Sequence, residues 1–202
     1  MRIIKDCLYD ERISIHTADY ATNRLNHIFG QCGAVDMTKY KYVLVQGDTT
    51  TAAAVALSAY NQGCKVMHVE AGMRTYDKKN PFPEEVNRRL ISSLATIHYC
   101  PTERESRFLH DEGYLRDDII ITGNTVIDNL MNEFDEEVEQ TQNVIITLHR
   151  RENHKWMEWW YNTLEDLAFK YPQYNFIFPM HPSPEVQKHR DLLTRVKVCA
   201  EL

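Results

Sequence analysis

No run of about 18 apolar residues occurs in the chain, so no transmembrane helix is expected. The opening residues, Met1-Arg2-Ile3-Ile4-Lys5-Asp6, lack the apolar core of a secretory signal. A basic excess is missing too. The formal net charge is −6, whereas nucleic acid or an anionic membrane would call for a basic face. Cysteine is sparse: Cys7, Cys32, Cys64, Cys100 and Cys199 are widely spaced, odd in number and free of Cys-x-x-Cys. Buried reduced thiols in a cytoplasmic protein are therefore expected. The chain has no Gly-x-Gly-x-x-Gly, no P-loop, no serine-centred nucleophile elbow and no metal-ligand spacing. Internal repeats and low-complexity segments are likewise missing.

What is present fits a soluble globular protein, with 43% hydrophobic and 26% charged residues. The 202 residues suffice for one domain, or one and a part. From Lys41 the pattern alternates between strand and helix. Strands are expected at 41–46, 64–69, 97–100 and 118–122. An Ala-rich helix at 51–62 stops at Gly63, and a second helix opens at Pro83 with Glu84 and Glu85 in its first turn. Thr102-Glu103-Arg104-Glu105 reads as a capping box for a third, which ends at Gly113. Repeated strand–helix units predict an α/β fold with a Rossmann-like parallel sheet. Residues 131–143, around Asn132 to Gln140, are acidic and weakly apolar, as a linker or solvated helix end would be. Beyond them a second unit is expected: strand 144–148, a helix to about Lys170, strand 175–179 and a last helix over 185–195. The organisation is thus an incomplete first domain (1–130), a linker (131–143) and part of a second Rossmann-like domain (144–202). Before Lys41 only a helix over 22–29 is expected, and the chain reads as cut at both ends.

Charge gathers where strands end and helices begin. Glu70, Arg74, Glu84, Glu85, Arg88 and Arg89 fall within about twenty residues, at the carboxyl end of a sheet where α/β proteins build sites. Asp48 follows a strand, and reads equally as a helix N-cap beside Thr49, Thr50 and Thr51. Glu70 has no capping role between Val69 and Ala71-Gly72, and burying it unpaired would be costly, which favours function. Glu84 and Glu85 could simply complement a helix dipole, with Arg88 pairing to Glu84 at i,i+4. His149-Arg150-Arg151 suits a diphosphate or is a solvated basic turn. His181 ends another strand, and Trp156, Trp159 and Trp160 read as packing residues.

Gly47-Asp48-Thr49-Thr50, His68-Val69-Glu70-Ala71-Gly72-Met73-Arg74-Thr75, Pro81-Phe82-Pro83-Glu84-Glu85-Val86-Asn87-Arg88 and Gly123-Asn124-Thr125-Val126-Ile127-Asp128 resemble, in order, segments of the UDP-N-acetylglucosamine 2-epimerase family. Thr147-Leu148-His149-Arg150-Arg151-Glu152-Asn153 extends the resemblance, which covers roughly 42–184. It implies a GT-B-like architecture of two Rossmann-like domains, here truncated. It also implies an isomerase of cell-envelope polysaccharide biosynthesis that eliminates UDP to an unsaturated glucal, then re-adds it with protonation on the other face of C2. Asp48, Glu70 and Glu84 would be the acid–base carboxylates, with Arg88 and His149 completing the catalytic set by positioning groups and stabilising phosphate charge. Arg74, Asn124, Arg150, Arg151 and His181 would bind substrate, Arg150 and His181 resembling residues near an allosteric UDP-N-acetylglucosamine site of bacterial members. No cofactor is implied, neither nicotinamide nor metal, and a homodimer or a partner chain supplying missing segments is.

The chain departs from the family at both ends. Nothing in 1–41 resembles the family's Gly-Thr-Arg-Pro-Glu loop, and Leu202 precedes any Asp-Ser-Gly-Gly segment. Two alternatives stay open: a non-catalytic remnant binding a partner or nucleotide sugar, and a hydrolysing epimerase releasing UDP and N-acetylmannosamine.

Overall fold

A computed structural model describes residues 21–133 and 141–200. Cys7, the N-terminal residues and most of the expected linker lie outside the described residues, as does the Arg151 side chain. The chain divides into two compact units, Met1–Phe134 and Asp135–Leu202.

The first unit is a four-stranded parallel sheet in the order β1-β2-β3-β4, with β1 at Tyr42–Gln46, β2 at Lys65–Val69, β3 at Ala95–Cys100 and β4 at Ile119–Ile121. Helix α1 (Ala21–Gly33) precedes it, α2 (Thr50–Asn61), α3 (Glu84–Leu94) and α4 (Glu103–Asp111) make the crossovers, and α5 (Thr125–Glu133) follows β4. Since the strand order never reverses, right-handed crossovers put α2, α3 and α4 on one face. Register agrees: Val45, His68, His98 and Ile119 lie side by side across that face. Alanines 52, 53, 56 and 59 of α2 are buried against Val45, Val66 and Ile91, small side chains letting the helix sit close to the sheet. The opposite face carries Leu44, Met67, Val69, Ile97, Tyr99 and Ile120, and none of them is buried. Leu44 is 58% exposed.

The local signals acted largely as read. Thr49, not Asp48, caps α2, its hydroxyl accepting from the Ala52 N–H at 3.1 Å. Thr102 caps α4 by accepting from the Arg104 N–H, but its hydroxyl donates to the Glu105 carboxylate, so the box is only half closed. Gly63 and Gly113 follow α2 and α4 with φ of +81° and +92°.

The second unit is a three-stranded parallel sheet, β5 (Asn143–Ile145), β6 (Asn175–Met180) and β7 (Lys197–Ala200), with α6 (Met157–Lys170) over one face. Met157, Tyr161, Phe178, Met180, Val186 and Val196 form its core, and the Tyr161 hydroxyl donates to the Val186 carbonyl at 2.6 Å. Three expectations are corrected here. The last helix, expected over 185–195, is a single turn, α7 (Pro184–Gln187), then a 3₁₀ turn at Arg190–Leu192 and the unanticipated strand β7. β5 ends at Ile145 rather than Leu148, with Ile146 still donating to the Ile177 carbonyl. Of the tryptophans only Trp160 packs on the core, while Trp156 and Trp159 are 55% and 58% exposed. Among the described residues no helix is long and apolar enough to cross a membrane, and Cys32, Cys64, Cys100 and Cys199 are free thiols.

Candidate active site

Three turns at the carboxyl ends of β1 and β2 and at the start of α3 gather the charge. After β1 the chain turns through Gly47, whose φ of +71° suits glycine. The Gly47 N–H bonds the Val69 carbonyl at 3.0 Å, and its own carbonyl lies 2.8 Å from His68 Nε2. An added Cβ would stand 3.5 Å from Glu70 Oε2, ordinary van der Waals contact, so the turn needs glycine for its backbone rather than for space. This turn delivers Asp48 away from the helix cap and onto Arg88. Arg88 Nε donates to Asp48 Oδ2 at 2.8 Å, with a second nitrogen also at 2.8 Å, and Asn87 Nδ2 donates to the Asp48 carbonyl at 2.9 Å. The N-cap alternative for Asp48 is thereby replaced by an ion pair.

Glu70 directly follows β2 with φ +66°, a left-handed backbone that non-glycine residues rarely adopt. Burial pushes its carboxyl above the ordinary value, and the Asp48 charge adds to the push, while Arg88 and a Gln46 hydrogen bond pull the other way. Glu84 opens α3, and its Oε2 is buried without a hydrogen-bond partner among the described residues. Its expected i,i+4 partner Arg88 pairs instead with Glu85, NH1 to Oε2 at 3.2 Å. Reading Glu85 as a complement to the helix dipole missed its burial, which is complete. It accepts from the Thr75 and Tyr76 N–H groups at 3.0 and 3.1 Å. The available signal was spacing: Glu85, Arg88 and Ser92 recur at i, i+3, i+7 and line one helix stripe.

Arg74 was expected to bind substrate, but its side chain has no exposed surface. Nε and NH2 donate to Glu112 at 2.8 Å each, NH2 to Ser92 Oγ at 3.1 Å and NH1 to the Met73 carbonyl. That guanidinium is spent inside the protein, bolting the 70–76 segment to α3 and to Glu112 beyond α4. Asn124, another expected ligand, accepts the Val126 N–H at 3.0 Å and so starts α5. Gln46 Nε2 donates to Thr125 Oγ1 at 3.2 Å, which holds that helix start to the end of β1.

In the second unit, His149 and Arg150 are exposed after β5. The His149 ring stacks on His181 at 5.7 Å between centroids and 20° between planes. His181 Nδ1 accepts from the Ser183 N–H at 3.1 Å, so a neutral ring carries its proton on Nε2. Two imidazoles and a guanidinium on one strand-end surface suit an anion.

A sequence profile described as UDP-N-acetylglucosamine 2-epimerase matches residues 10–201. The UDP-N-acetylglucosamine 2-epimerase of Neisseria meningitidis is 42% identical over 174 residues, 76% of this chain and 46% of that protein. The enzyme of the same name from Campylobacter jejuni is 37% identical over 203 residues, 89% of this chain and 52% of that protein. A crystal structure of UDP-GlcNAc 2-epimerase from Neisseria meningitidis bound to UDP-GlcNAc superposes with a TM-score of 0.74 at 34% identity. It covers 91% of this chain and 57% of that one. The chain thus spans about half the length of the curated relatives it matches.

Proposed function

Since the chain belongs to the UDP-N-acetylglucosamine 2-epimerase family, we propose that it handles protons at C2 of UDP-N-acetylglucosamine, interconverting it with UDP-N-acetylmannosamine. The observation that carries this reading is the carboxylate group at one sheet edge: Asp48 held by Arg88, Glu70 with a raised pKa, and Glu84 with an unpartnered oxygen. The C2 proton is not acidified by a neighbouring carbonyl, so elimination is the accessible route. A carboxylate takes the C2 proton, the C–H pair becomes the C1–C2 double bond, and the C1–O bond breaks with its electrons leaving on UDP. Return of UDP with protonation from the other face inverts C2. Inversion needs a base on one face of C2 and an acid on the other, so two carboxylates share the work: Glu70, whose raised pKa favours proton transfer, on one face and Asp48 or Glu84 on the other. Arg88 is the cation that holds Asp48 in place and offsets charge as the diphosphate departs. The Neisseria enzyme was solved with UDP-GlcNAc bound, which supports the substrate class. His149, Arg150, Arg151 and His181 are the second unit's proposed diphosphate group, and Asn124 is assigned to the substrate edge through α5. A nucleotide-sugar substrate and buried free thiols fit work in the cytoplasm.

The test is deuterium incorporation at C2 of UDP-N-acetylglucosamine in deuterated water, followed by NMR. Wild type is expected to exchange and to form UDP-N-acetylmannosamine, and Glu70→Gln to exchange at least about 100-fold more slowly. No exchange by wild type, or wild-type exchange by E70Q, overturns the reading. Release of free UDP and N-acetylmannosamine would assign the hydrolysing chemistry instead. A second reading is that the chain binds nucleotide sugar or a partner chain, or pairs with its own copy, without turnover. Binding without exchange, unchanged in E70Q, would support it.

A further inference from the structure

The polar stripe of α3 holds a group that the proton-transfer scheme does not use. Glu85 is a fully buried carboxylate, and ordinary protein economy would replace it with an apolar residue unless its partners required it. Oε2 accepts from the Thr75 N–H at 3.0 Å and from Arg88 NH1 at 3.2 Å; Oε1 accepts from the Tyr76 N–H at 3.1 Å, with Arg89 Nε at 3.6 Å. Tyr76 sits at φ +60°, like Glu70 at the segment's other end. The segment from Glu70 to Tyr76 is fastened at three points: Ala71 N–H to the Tyr99 carbonyl, Arg74 to Glu112 and Ser92, and Thr75–Tyr76 to Glu85. Only the last fastening also grips Arg88, whose other edge holds Asp48.

We propose that Glu85 is a positioning residue, tying the end of the Glu70 segment to Arg88 and so fixing the guanidinium against Asp48. The proposal rests on the functional reading above for its kinetic consequences, though not for its geometry. A purely structural carboxylate is available for comparison in the same chain. Glu165 of α6 is almost as buried and accepts from Thr194 Oγ1, Arg195 N–H and Val196 N–H at 2.8, 2.8 and 3.0 Å. It joins α6 to the start of β7 and touches no candidate site residue.

The test compares Glu85→Gln with Glu165→Gln. In E85Q the C2-exchange kcat is expected to fall about 10- to 100-fold with KM nearly unchanged. The acid limb of the pH profile discriminates further. Removing Glu85's charge alone, with Arg88 in place, would ease ionisation of Glu70 and move the limb down. Losing the Arg88 position withdraws the cation that faces Glu70, while Arg74 and Arg89 remain on Glu85's side, and moves the limb up. An upward shift is expected in E85Q and no change in E165Q. A second readout needs no turnover: the Arg88 side-chain Nε–H resonance, identified by its loss in Arg88→Lys, should exchange with solvent at least about 10-fold faster in E85Q. Should wild type show no C2 exchange, the functional reading fails and this resonance still decides the role of Glu85. Unchanged Arg88 protection, or a limb that stays or moves down in an active chain, overturns the proposal. If E85Q does not fold, Glu85→Asp, which keeps the charge but withdraws it by one methylene, is expected to loosen Arg88 in the same way.

Discussion

His68 and His98 are cross-strand neighbours buried inside the first unit, and both have Nδ1 without a partner among the described residues. Burial, with His68 alongside, pushes the His98 pKa from 6.5 down to about 4, and burial also lowers that of His68. An unfolded chain would bind protons that the folded one refuses. The stabilising contribution is therefore complete above pH 6.5 and is lost as pH falls toward 4. For His98 it is worth about 3 kcal/mol. Urea midpoints should fall between pH 7 and 4.5 in wild type and fall much less in His98→Gln. Glu70 has the opposite sign. Its raised pKa favours the folded state at acid pH, and as a base it needs the ionised form. The exchange rate should thus drop on acidification at a pH above the usual 4.5 of a glutamate, an outcome a pH–rate profile would check. Asp48 and Glu70 draw attention in the sequence because they follow strand ends, whereas Arg88 lies within α3 and is singled out only by the family resemblance. The burial of Arg74 and Glu85 could not be read, because a charged side chain in a turn or a helix start looks alike whether it faces solvent or is wholly enclosed by distant partners such as Glu112 and Thr75.

Elements were legible where period and punctuation agreed. β1, α2, β2, α3 and α4 lie within two residues of their expected bounds because Gly63, Pro83, Thr102 and Gly113 mark their ends. β7 and α5 were missed for a physical reason: Lys197–Ala200 is four residues long, too short to carry a period, and Val126 to Met131 of α5 is largely exposed, without a clear buried stripe. The turn after β2 is the tightest element joint. Gly72 has φ +87°, and a Cβ there would collide with the backbone carbonyl of Glu105. Gly72→Ala combines left-handed strain with overlap against a backbone that cannot step aside, so a loss of about 2–4 kcal/mol is expected. Denaturant unfolding would measure it, and a loss below about 1 kcal/mol would contradict the packing described.

At the scale of the whole molecule, the α/β class and the parallel sheets followed from the alternation of elements, and family membership followed from ordered segments. Sequence could not reveal which sheet face stays uncovered, since apolar residues on both faces of a strand look the same. Parallel sheets are ordinarily enclosed on both sides. Here Leu44, Ile120 and, in the second unit, Ile145 stand 58%, 43% and 65% exposed. β1 also leaves one edge unpaired among the described strands. Such a surface promotes association. Leu44→Lys should reduce the average mass in light scattering, and an unchanged mass would exclude this face as the contact.

The uncovered face also changes what stability means for this chain. A layer that settles on it, of whatever origin, adds free energy only to the folded state. By mass action the melting temperature then becomes a titration curve, climbing with the logarithm of the covering molecule's concentration. For this protein, folding strength would be a property of the solution as much as of the sequence.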